Sequence, residues 1–161
     1  MSDKISNSEI AVNNFYPYAK NTKTFEGFKT EIYPGKYKKE PTIGYGFNLK
    51  SPIFKGMSRE YILANAEELF VKAYLRARFD AADFVGYDTF NKLSKERQAV
   101  LTDMAYNMGP TSLGKFKEFR KALQAGNFKK SAAEMKNSLW YGQVGDRSKK
   151  LIKVMQEDKW D

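Results

Sequence analysis

At 161 residues the chain is long enough for one domain with a real hydrophobic core, and its 12 Phe, 10 Tyr and 2 Trp supply large side chains to fill it. Lysine and arginine outnumber aspartate and glutamate 28 to 19, a net charge of +9 that favours an anionic partner: nucleic acid, a membrane surface or the acidic polymers of a cell wall. Cysteine and histidine are both absent, which excludes disulfides, thiolate metal sites and Ser-His-Asp or Cys-His catalysis, so any proton transfer falls to Glu, Asp, Lys or Tyr.

Residues 1–20 are polar, interrupted by Pro17, and read as an extension with room for a short helix. No apolar run there is long enough for a signal peptide, and no stretch of ~18 apolar residues anywhere predicts a membrane span. The expectation is a chain made soluble in a cytoplasm, which needs outside help to reach an external target. A helical turn or two is expected from about Asn21, ending at Glu26-Gly27. Between residues 31 and 48, β-branched and aromatic residues flank Pro34-Gly35 and lead into Thr42-Ile43-Gly44-Tyr45-Gly46, the pattern of a small antiparallel hairpin or meander. Residues 21–57 thus form a β lobe that also holds the helix end. Ser58 is a good N-cap, and Ile62, Ala66, Leu69, Phe70, Ala73, Tyr74 and Ala77 recur at helical spacing, which predicts one long connecting helix over 58–80.

Residues 81–161 read as a helical lobe. A strong helix starts near Ser94 with Val100, Leu101, Met104, Ala105 and Met108 on one face, and Gly109-Pro110 stops it. Shorter helices are expected around Phe116, Phe119 and Leu123, from Phe128 to about Leu139, and through Leu151, Ile152 and Met155. The class is α+β, mostly α: a small β lobe, a long helix and a helical lobe, one compact domain in total.

The best candidate site lies where Glu26 meets the glycine-rich hairpin. A carboxyl at a helix end beside Phe25 and Phe28 is partly desolvated, which favours the neutral form that a general acid needs. Gly44 and Gly46 would leave one backbone face bare for a flat ligand such as a sugar ring, and Thr42 offers a hydroxyl to hold a water. On spacing alone Glu26 reads more readily as one of 19 ordinary acids, with the glycines merely shaping a turn.

Glu26-Gly27, Tyr33 and Thr42-Ile43-Gly44-Tyr45-Gly46 resemble the Glu-Gly, Tyr, Thr-Ile-Gly-x-Gly signature of phage-type lysozymes (glycoside hydrolase family 24). The resemblance continues through Leu101 to Gly109 and through Ser138-Leu139-Trp140-Tyr141-Gly142-Gln143 to Arg147, in order and near the right spacing. It implies a lysozyme-like two-lobed fold and an inverting muramidase, endolysin-like, that cuts the β-1,4 bond between N-acetylmuramic acid and N-acetylglucosamine. By the same resemblance Glu26 protonates the leaving oxygen and Thr42 positions the attacking water. Gly46, Asn48, Tyr106 and Asn107 line the sugar-binding cleft, Arg147 holds Glu26, and Trp140 and Tyr141 with Asn107 form the wall behind it. No cofactor and no metal are implied. The expected partners are bacterial peptidoglycan and, through basic patches such as Lys115, Lys117, Arg120 and Lys121, anionic cell-wall or outer-membrane surfaces. Nucleic acid is not expected, and the chain should be a monomer. Synthesis would be in the host cytoplasm, with action in the periplasm or cell wall after release by a holin or injection.

One departure bears on mechanism. The family carries an Asp two residues after the matching Tyr, where this chain has Gly35, and the loop before Thr42 is longer by one residue. Glu31 and Glu40 are the acids available, and a strand through residues 40–46 would put Glu40 and Thr42 on one face. Phe47 stands where the family often has His. Three mechanisms stay open: inversion with Glu40 or Thr42 alone managing the water, a lytic transglycosylase using Glu26 alone, and a peptidoglycan-binding homologue that does not cut. The charge also admits a nucleic-acid-binding protein, but no recognition helix or stacking motif is present.

Overall fold

The structure, a computed structural model, describes residues 7–161, so the start of the expected extension lies outside the described residues. The chain divides into two compact units, one up to Arg76 and one from Ala77 to Asp161. The architecture is mostly helical with one small antiparallel sheet, as the sequence predicts.

In the first unit, helix α1 (Asn7–Phe15) and helix α2 (Ala19–Glu26) precede strands β1 (Lys29–Pro34), β2 (Pro41–Gly44) and β3 (Phe47–Asn48). The strands pair in the order β1-β2-β3, with Tyr33 opposite Thr42, Pro34 opposite Pro41, and Thr42 opposite Asn48. The loop that is longer by one residue therefore runs from Gly35 to Glu40. It is closed by the Gly35 N–H donating to the Glu40 carbonyl and the Lys39 N–H donating to the Gly35 carbonyl, both at 2.9 Å. Ile43 and Phe47 turn the inner face of the sheet into core, where Phe47 meets Phe54 with ring centroids 4.9 Å apart. Burying side chains of this size contributes about 1.5–3 kcal/mol each, enough to pin the short strands.

Helix α3 (Arg59–Ala64) begins where expected, with Ser58 Oγ accepting from the Tyr61 N–H at 3.1 Å. The single helix predicted over 58–80 is corrected here. It breaks at Asn65, and helix α4 runs Ala66–Val85. The physical reason is local: Asn65 Nδ2 donates to the Tyr61 carbonyl at 2.8 Å, alongside its own backbone N–H, and its φ of −116° leaves helical geometry. At the other end the helix outruns the prediction because Ala81, Ala82 and Val85 extend its buried face.

The second unit adds α5 (Tyr87–Lys92), α6 (Lys95–Leu113), α7 (Lys117–Gln124), α8 (Phe128–Lys136), α9 (Leu139–Val144) and α10 (Asp146–Glu157). Helix α10 packs on α6, α8 and α9. Val100, Leu101, Met104, Ala105 and Met108 are all buried, as their spacing requires. Gly109, with φ 79° and ψ 165°, interrupts α6 where the sequence ends the helix, and Pro110 opens one further turn. The helix expected from Phe128 to about Leu139 stops at Lys136 instead, because Ser138 caps a new helix by accepting from the Tyr141 N–H. Among the described residues no helix is long and apolar enough to cross a membrane.

Candidate active site

Glu26 is the last residue of α2, and Gly27 (φ 67°) turns the chain away while its N–H still bonds the Lys23 carbonyl at 3.0 Å. The carboxyl then lies on the backbone of Gly46 in the β2–β3 turn. A Cβ built on Gly46 would fall 1.9 Å from Glu26 Oε2 and 2.5 Å from its Cδ, closer than any real contact. Gly46 also has φ 70°, so its lack of a side chain answers two demands at once. The space a side chain would take at each glycine is occupied from within: Glu26 covers Gly46, and the Phe47 ring covers Gly44, 2.6 Å from where its Cβ would be. Of the expected apolar wall, Phe28 is exposed but packs at a tilt on the Tyr45 ring, with centroids 4.9 Å apart. Gly46→Ala should lower turnover about 100-fold by displacing the Glu26 carboxyl and reduce stability by about 1–2 kcal/mol through its φ. Kinetics and urea denaturation on the same preparation check both.

Thr42 is 6% exposed and donates its hydroxyl hydrogen to the Glu40 carbonyl at 2.8 Å. Toward any water its oxygen is therefore an acceptor. The same Glu40 carbonyl accepts from the Gly35 N–H. Gly35 has to be small, because a Cβ there would lie 2.9 Å from Thr42 Oγ1. The Glu40 carboxylate accepts from Asn48 Nδ2, and Asn48 Oδ1 accepts from the Lys50 N–H at 2.9 Å. Since Asn48 stands opposite Thr42 in the sheet, Glu40, Thr42 and Asn48 gather on one side of the hairpin. Glu31, the other acid available, is tied instead to Arg59 at 3.1 Å in an exposed pair.

A second cluster escapes sequence reasoning. Tyr45, between the two glycines, donates its hydroxyl to Glu67 Oε1 in the first turn of α4, and Lys23 pairs with Oε2 of the same carboxylate. Lys23 Nζ also sits 4.9 Å from the Tyr45 ring centroid. These residues are too far apart in sequence to leave a pattern.

In the second unit Arg147, Trp140 and Asn107 fall into two hydrogen-bonded pairs. Arg147 Nε donates to Asp103 Oδ1 at 2.8 Å, with side chains 9% and 1% exposed. Trp140, fully buried, donates its indole N–H to Asn107 Oδ1 at 2.9 Å. Asp103 and Asn107 are one turn apart on α6 and so share a face. Tyr106 and Tyr141 are half-buried, and Ser148 Oγ ties α9 to α10 through the carbonyls of Tyr141 and Gly145. Asp103 is a residue that the motifs leave unmarked, although an acid inside an apolar helix face is itself a signal of a buried cation partner. Among the described residues no group of His, Cys, Asp or Glu is placed to hold a metal ion.

A helix-end glutamate seated on a glycine turn, a buried threonine hydroxyl in a three-stranded sheet and a second unit made of helices define a lysozyme-like α+β protein. The chain belongs to the phage lysozyme family, whose model matches residues 23–156. It is also 33% identical over 67 residues to a protein of Dictyostelium discoideum described as a probable T4-type lysozyme 2, a match that covers 42% of this chain and 39% of that one. The chain thus spans about two fifths of the length of that curated relative.

Proposed function

We propose that this protein hydrolyses the β-1,4 bond between N-acetylmuramic acid and N-acetylglucosamine in peptidoglycan, with inversion and with Glu26 as general acid. The observation that carries the reading is the seat of Glu26 on Gly46, which joins the two halves of the family signature in one place. Glu26 gives its proton to the glycosidic oxygen as the bond breaks. Water attacks the anomeric carbon from the opposite face, donating one hydrogen bond to Thr42 Oγ1, whose own hydrogen is committed to the Glu40 carbonyl. A threonine hydroxyl positions a water but does not take its proton at neutral pH, so the proton passes to the Glu40 carboxylate steadied by Asn48. In this reading Glu40 stands in for the aspartate that Gly35 replaces. The exposed Lys115, Lys117, Arg120 and Lys121 hold the enzyme to anionic wall or outer-membrane surfaces, an adsorption that weakens as salt rises.

NMR of freshly cleaved glycan fragments tests the stereochemistry: the α-anomer should appear first, and a first-formed β-anomer overturns inversion. Glu40→Gln should lower kcat about 100-fold with little change in stability. A variant with wild-type kcat would remove Glu40 from the reaction.

A further inference from the structure

One carboxylate links the two elements that meet at the acid. Glu67 Oε1 accepts from Tyr45, whose neighbour Gly46 is the surface on which Glu26 lies, and Glu67 Oε2 pairs with Lys23, one turn before Glu26 on α2. The glycine turn and the catalytic helix end are thus referred to the same point at the start of α4. Aromatic packing reinforces it: the Tyr45 ring lies 5.8 Å from Phe70 and 6.1 Å from Phe47, and Lys23 Nζ lies 5.6 Å from the Phe70 centroid. Negative charge is favoured in the first turn of a helix, which suits Glu67 to this place. A turn flanked by two positive-φ glycines has little stiffness of its own, so something outside it has to fix where Gly46 stands.

We infer that Lys23, Glu67 and Tyr45 are positioning residues that set the Glu26–Gly46 seat, with Glu67 as their shared anchor. This rests on the reading of Glu26 as the acid. The pair is part-exposed, its side chains 28% and 45% accessible, so its contribution to overall stability is small. Its effect is on geometry, where a misplacement of about 1 Å is costly to rate. Tyr45→Phe keeps the ring contacts and removes only the hydroxyl bond. Lys23→Arg keeps the ion pair that Lys23→Met removes.

The test combines kinetics on purified peptidoglycan with amide NMR of the full chain. Glu67→Ala should lower kcat about tenfold, and Tyr45→Phe and Lys23→Met several-fold, with KM within about twofold and melting temperatures within a few degrees of wild type. Lys23→Arg should restore most of the rate, and the Gly46 amide resonance should move in Glu67→Ala. An unmoved Gly46 resonance, or a Glu67→Ala variant with wild-type kcat, overturns the inference. So does a loss that follows melting temperature and is not rescued by Lys23→Arg. A wild type that does not cut peptidoglycan overturns the role of Glu26 instead, and the Gly46 resonance still judges the brace.

Discussion

Glu26→Gln should lower turnover on peptidoglycan by about 10²–10⁴-fold while leaving melting temperature within a few degrees of wild type. The amide has the shape of the carboxyl and fits the same seat against Gly46, so the fold loses little. It has no proton acidic enough to give to a departing sugar oxygen. The bonds of Thr42 and Asn48 to Glu40 are kept in the variant. Initial rates and a thermal melt on the same sample check the expectation. A variant retaining more than about a tenth of wild-type activity would remove Glu26 from the acid's role.

The largest effect on stability should come from Asp103→Ala. Asp103 and Arg147 form a pair buried to nine-tenths or more on both sides, with a 2.8 Å charge-assisted bond. Deleting the carboxylate removes the acceptor of the Arg147 Nε–H bond from a site that is buried on both sides. Breaking one side of such a pair costs about 3–5 kcal/mol. Denaturant unfolding should register most of that, and a loss under about 1 kcal/mol would mean that Arg147 finds equivalent support elsewhere.

The sequence made the scaffold legible wherever one residue type has one physical job. Ser58 and Ser94 cap the helices that follow them, Gly109-Pro110 interrupts α6, and the buried face of α6 follows its spacing. The break at Asn65 was not legible, because a side chain returning to the carbonyl four residues back competes with the helix without ending its apolar period. Helix α5 was missed for a different reason: its six residues are too few to show a period, and it is defined by Gly86 at φ 92° and the buried Phe90.

At the site, the motifs named Glu26, Thr42 and Gly46 but not the side chains that pack beside the glycines. Their missing side chains make room for Glu26 and Phe47. The brace through Glu67 and the pair of Asp103 with Arg147 each join residues 44 positions apart, a separation at which no local pattern exists. Gly35 is the most instructive position. Its place in the signature suggests a lost aspartate, whereas its surroundings show that any side chain there would press on Thr42 Oγ1. Gly35→Asp would therefore disturb the hydroxyl that orients the water, and it does not simply restore the family's arrangement.

Mass analysis of purified peptidoglycan after digestion tests the central claim most directly, since hydrolysed and anhydro sugar ends differ by one water. Water-borne cleavage with Glu26 as acid predicts reducing-end muropeptides from the wild type and none from Glu26→Gln. Anhydro ends, or glycan left unchanged by the wild type, would contradict it.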